Sequence, residues 1–195
     1  MNFFLLVSSF LISFLIAVWF LRKKTTIVDT NGLPDSNGSS FVQGMEFVKQ
    51  KKYDEAEEQF QEAIRLDPDH ACGNLMIGWL HFNEQRYQQA LPFLEKANRL
   101  NPEEANANFL LGKTYFELER NEEALPPLEK AIRLDPDHAD SHFTLGYVHC
   151  KLGDSNKGEK EFQKAVDLNP SLKANLFQLT EPLLKLMQDF DEGAR

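Results

Sequence analysis

The chain is 195 residues long, with a formal net charge of -9 and two cysteines, Cys72 and Cys150. That length holds one domain of ordinary size, and two cysteines exclude a disulfide scaffold; they read as small, partly buried residues in a reducing compartment. Residues 1–40 carry Arg22, Lys23 and Lys24 against Asp29 and Asp35, a net of +1 that leaves -10 on the remainder, and so acidic a body repels phosphates and argues against nucleic-acid binding.

The first predicted element is the apolar run Phe3–Leu21, which contains no charge. As a helix it spans about 28 Å, close to the roughly 30 Å of hydrocarbon in a bilayer. Trp19 and Phe20 stand at its end, where interfacial aromatics are favoured. No Lys or Arg precedes it and "AVWFLRKK" offers no small-x-small cleavage site, so the expectation is a retained transmembrane helix, 3–21, rather than a signal peptide. The basic "RKK" keeps to the cytoplasmic side. This predicts a single-pass protein with its N-terminus outside and everything that follows in the cytoplasm. Residues 22–36 lead into a stretch crowded with Gly, Pro, Asn, Asp and Ser, which predicts a flexible linker.

Beyond it the sequence is periodic. "AIRLDPDHA" runs from Ala63 to Ala71 and again, letter for letter, from Ala131 to Ala139. Pro68, Pro102, Pro136 and Pro170 stand 34 residues apart. Four more offsets recur with them: Gly44, Gly78, Gly112 and Gly146; Ala56, Ala90, Ala124 and Gly158; Phe60, Leu94, Leu128 and Phe162; Ala63, Ala97, Ala131 and Ala165. Each period holds two apolar patterns of helical spacing separated by a polar turn. The glycine and the small residue opposite it let two helices approach closely. Asp-Pro or Asn-Pro stops the second helix, because proline lacks a donor and biases its predecessor away from helix. Pro92, Pro126 and Pro127 fall inside second helices and cost least if those helices begin shortly before them.

This pattern resembles the tetratricopeptide repeat, in four copies at 37–70, 71–104, 105–138 and 139–172. The resemblance implies an all-α, right-handed α-solenoid. There are departures: where the family has a large aromatic near the start of the first helix, this chain has Ser40, Asn74, Asn108 and His142. The first copy carries Gln43 where the others have Ile77, Leu111 and Leu145, which suits an end with no neighbour. After Pro170, Thr180-Glu181-Pro182 reads as a helix start, and 173–195 is expected to form a C-terminal capping helix and tail.

No phosphate-binding Gly-rich loop, G-x-S-x-G or C-x-x-C is present. His142 and His149 share a helical face, which makes a metal-dependent enzyme the alternative of another class. They stand at offsets where the repeat packs its own helices, however, so no enzyme, cofactor or small-molecule substrate is expected.

In tetratricopeptide arrays the first helices line a concave groove where partners bind. Here the lining positions hold Phe41 and Met45; Cys72, Leu75, Trp79 and Phe82; Asn106, Phe109, Lys113 and Phe116; and Asp140, Phe143, Tyr147 and Cys150. The aromatic members commonly pack partly between neighbours, but an apolar concavity bearing Trp and Tyr marks a binding site. The positions that clamp chaperone C-termini in some family members hold Phe41, Met45, Met76, Asn106 and Leu110, without the cations that mode requires. The expectation is a membrane-anchored interaction scaffold or adaptor that takes an apolar or amphipathic segment of a partner protein. An import-receptor-like role, or an assembly or secretion factor, is the alternative among binding proteins.

Overall fold

The computed structural model describes residues 38–172, and the expected anchor (3–21), linker (22–36) and C-terminal cap (173–195) lie outside them. Within the described residues no helix is long and apolar enough to cross a membrane. Eight helices follow one another in pairs: α1 (Gly38–Lys49) with α2 (Tyr53–Leu66), α3 (Ala71–Asn83) with α4 (Tyr87–Leu100), α5 (Ala105–Glu117) with α6 (Asn121–Leu134), and α7 (Ala139–Lys151) with α8 (Ser155–Leu168). Among the described residues the architecture is all-α.

The nonapeptide that opens the periodicity is a helix end, a turn and a helix start. Ala63 and Ala131 are fully buried, and their carbonyls accept from the Asp67 and Asp135 N–H groups at 3.0 and 2.9 Å. The same aspartates accept through Oδ1 from the N–H two residues on, Asp69 and Asp137, each at 3.2 Å. His70 and His138 then cap the next helix: Nδ1 accepts from the Gly73 N–H at 2.8 Å and from the Ser141 N–H at 3.1 Å. A ring nitrogen here does the work usually given to a Ser or Asp oxygen.

The glycines set the spacing within each pair. A Cβ added to Gly44, Gly78, Gly112 or Gly146 would stand 2.5 to 2.7 Å from Phe60, Leu94, Leu128 or Phe162 respectively. Each large side chain therefore occupies the space where its glycine lacks a side chain, and all four are buried. On Gly158 an added Cβ would meet the Cys150 Sγ, so cysteine on α7 requires glycine where the other repeats tolerate alanine.

Family departures have a structural use. Asn74 and Asn108 are 1% exposed, and Nδ2 of each donates back to the preceding segment: to the His70 carbonyl at 2.9 Å, and to the Pro102 and Glu104 carbonyls at 2.9 and 2.8 Å. In the fourth repeat His142 Nε2 lies 3.1 Å from the Pro136 carbonyl and Nδ1 lies 2.6 Å from Glu161 Oε2 on α8. These buried polar groups tie α3, α5 and α7 to the segment before each, a role that a large apolar aromatic cannot fill.

Pro92 and Pro126 sit five residues past the starts of their helices, so they fall in the second turn rather than the first. With Pro127 next to Pro126, the missing donors take the i+4 partner from the carbonyls of Gln88, Glu122 and Glu123, and all three residues are exposed to solvent. The turn inside each pair places Lys51, Gln85, Glu119 and Gly153 at φ 60°, 60°, 59° and 86°. Only the fourth repeat uses glycine in this left-handed conformation. Gln85→Gly is expected to raise unfolding free energy by about 0.5–1 kcal/mol, the relief of left-handed strain less the extra freedom of an unfolded glycine. A urea unfolding midpoint that falls in the variant contradicts this.

Each helix packs on its pair-mate and then on the next pair, and α5 also touches the first helices on both sides, α3 and α7. The first helices α3, α5 and α7 thus form one continuous surface.

Candidate partner-binding groove

Of the residues expected to line the groove, Asp140 is exposed, Cys150 is buried and the others are half-buried, which fits a surface that is partly core wall. Phe41, Met45 and Trp79 pack against the cluster of Val48, Ala56, Phe60, Ile77 and Leu80. Leu75 and Phe82 lean on Ala90, Leu91, Leu94 and Leu111. Phe109 and Phe116 lean on Ala124, Leu128, Leu145 and Val148. Part of each ring is therefore structural, and the remainder faces outward.

One cleft concentrates these residues. Its volume is about 150 Å³, and it is lined by Lys113, Phe116 and Glu117 on α5 and by Asp140, Phe143, Thr144 and Tyr147 on α7. Of the residues expected at a groove, Lys113, Phe116, Asp140, Phe143 and Tyr147 line it. Phe41, Met45, Leu75, Trp79, Phe82 and Phe109 are not among its lining. Glu117 and Thr144 are lining residues that the sequence reading missed. Each stands four residues after a lining residue, Lys113 and Asp140, and helical spacing alone would have found them.

The rings are ordered. Tyr147 meets Phe143 edge-on at 5.1 Å, Phe162 edge-on at 4.9 Å and Phe116 nearly stacked at 6.0 Å. The Lys113 ammonium lies over two rings on the other side, 5.4 Å from Phe82 and 5.6 Å from Phe109. Trp79 stands edge-on to Tyr53 at 6.3 Å.

Electrostatics here are set by burial. The Tyr147 hydroxyl is buried with no hydrogen-bond partner among the described residues, and burial, with Cys150 adding a little, pushes its pKa up to about 12. Tyr115 also rises to about 12, first by burial and then because its O–H donates to Glu95 at 2.7 Å. Both values lie above the unfolded 10, so the neutral phenols favour folding. Their contribution is whole below pH 10 and is lost as pH climbs toward 12. Absorbance titration is expected to show two late tyrosines and loss of helix over the same interval. Tyr147→Phe, which removes an unpartnered hydroxyl, is expected to leave stability equal or slightly higher and to remove one late titration.

Away from the cleft, burial works to raise the Glu57 carboxyl, but His81 at 3.1 Å and Arg86 at 3.2 Å outweigh it and hold the group below the usual carboxylate range. That contribution is present above the unfolded carboxylate pKa and is lost as pH falls through the lower folded value. His142 is taken up by Glu161 and the Pro136 carbonyl, as described above. Among the described residues no three His, Cys, Asp or Glu side chains gather as a metal site.

Comparison with known proteins bears on this arrangement. Models of the tetratricopeptide repeat match residues 41–105 and 139–172, and a model described as TPR repeat matches 112–153. The chain carries tetratricopeptide repeats. No curated protein sequence matches it. Among solved structures, MamA AMB-1 is 25% identical over 67% of this chain and 72% of its own, with a TM-score of 0.61. MamA 41-end from Desulfovibrio magneticus RS-1 is 27% identical over 68% and 75%, TM-score 0.61. YrrB, described as a TPR protein with an unusual peptide-binding site, is 26% identical over 70% and 71%, TM-score 0.62. The tetratricopeptide array and these neighbours support an interaction scaffold.

Proposed function

We propose that this chain holds a partner protein by binding an apolar or amphipathic segment of it along the surface of α1, α3, α5 and α7. The cleft between α5 and α7 carries the reading: it brings together lining residues from two successive repeats, and it is walled by aromatic side chains, the usual anchors of binding energy. The likeness to YrrB, named for a peptide-binding site, runs in the same direction. Membrane attachment through residues 3–21, with the repeats in the cytoplasm, rests on the uncharged length of that run and on "RKK" after it. The repeats supply a surface and no chemistry of their own.

Affinity capture by the full chain from its native membranes tests this. A partner held by the wild type is expected to be lost with Trp79→Ser and kept with Glu58→Ser on α2, with circular dichroism checking that both variants stay helical. A partner that survives Trp79→Ser and disappears with Glu58→Ser overturns the groove reading.

A further inference from the structure

The cleft between α5 and α7 has a definite charge as well as a shape. Phe116, Phe143 and Tyr147 wall it, with Tyr147 perpendicular to Phe143 at 86° and 30° from parallel to Phe116. Aromatic faces carry negative partial charge and attract cations. Glu117 and Asp140 stand on its rim, both exposed, and among the described residues neither makes an ion pair with a lysine or arginine. Lys113, the one cation of the lining, has its ammonium over the Phe82 and Phe109 rings, which are not among the cleft's lining residues. This surface therefore already holds one ammonium on ring faces, that of Lys113 on Phe82 and Phe109, and the cleft offers three further rings with two carboxylates added. The cleft's volume of about 150 Å³ is small, on the scale of the end of one side chain.

We propose that this cleft receives a basic side chain, arginine or lysine, of the partner segment, seated against Phe116, Phe143 and Tyr147 with its charge facing Glu117 and Asp140. The inference rests on the groove reading and names the chemistry of its occupant. The partner segment is then apolar along most of its contact with one cation placed to reach the space between repeats three and four. The net of -10 on the chain beyond residue 40 assists by steering basic segments toward it.

The test selects random dodecapeptides displayed on phage against the full chain, against its Glu117→Gln/Asp140→Asn variant, and against a Glu58→Gln/Glu122→Gln control with the same change in net charge on the outer helices. Both rim carboxylates are exposed, so the variant is expected to fold, with circular dichroism as the check. Wild type and control are expected to enrich peptides with an arginine or lysine between apolar residues. The rim variant is expected to bind those peptides on the order of tenfold more weakly in fluorescence anisotropy. Substituting citrulline for the arginine is expected to remove the difference. Apolar peptides without basic enrichment overturn the inference and leave the groove reading standing. Equal weakening in the outer control also overturns it, because net charge and not the cleft is then responsible. Selection of no peptide above background overturns both.

Discussion

Gly112→Ala lowers unfolding free energy by about 2 kcal/mol in the wild type and is neutral or stabilising once Leu128 is alanine. The added Cβ has no place to go: it would stand 2.6 Å from Leu128 Cγ and 3.2 Å from the Ala124 carbonyl oxygen, and Leu128 is fully buried. On a free helix the same change gains about 1 kcal/mol of propensity, so a loss identifies the contact as the cause. Leu128→Ala alone costs about 2–5 kcal/mol, because it empties the space that the glycine leaves to it. In the double variant the new methyl group enters that space. A double-mutant cycle by urea unfolding is expected to give a coupling energy of about 2 kcal/mol. Additive losses contradict the assignment of these glycines to helix spacing.

Phe162→Ala is expected to cost about 3–5 kcal/mol and to dismantle the cleft as well. Phe162 is buried, fills the space opposite Gly146, and supports Phe143 at 5.5 Å and Tyr147 at 4.9 Å from behind. Without it both wall residues lose their backing and any segment bound there is released. Phe162→Leu supplies the control, since Leu94 and Leu128 fill the same offset in the second and third repeats. A conservative swap of this kind costs under about 1.5 kcal/mol. Hydrogen exchange locates the damage: repeat arrays lose stability by neighbour contacts, so protection is expected to fall in α7 and α8 and to persist in α3 and α4. Uniform loss along the array contradicts that local picture.

The repeat itself was legible in the sequence because it is written four times. Gly44 and its counterparts, Phe60 and its counterparts, and Ala63 and its counterparts occupy equivalent places in the packing. What the sequence left unread is what one residue does for a neighbour in space. His70 and His138 as helix caps replace the usual Ser or Asp, so the capping signal was hidden in a ring nitrogen. Asn74 and Asn108 counted as departures from the family, and only their bonds to the preceding turn give them a purpose. The turn positions Lys51, Gln85 and Glu119 gave no sign of their left-handed backbone except the alignment with Gly153. The groove was half legible. Offsets found five residues of the cleft, but offsets treat all repeats alike, and between the third and fourth repeats Tyr147 meets both Phe116 and Phe143. Glu117 and Thr144 on its wall belong to positions that the family pattern does not mark.

The most direct measurement is a photo-crosslinking scan of the full chain expressed in its native cells. It places the reactive group at Trp79 and Asp140 on the first helices, and at Glu58 and Glu122 on the second helices. The expected result is one partner segment captured from both first-helix positions and from neither second-helix position. Capture from Glu58 or Glu122 alone would contradict the account and move the working surface to the outer helices.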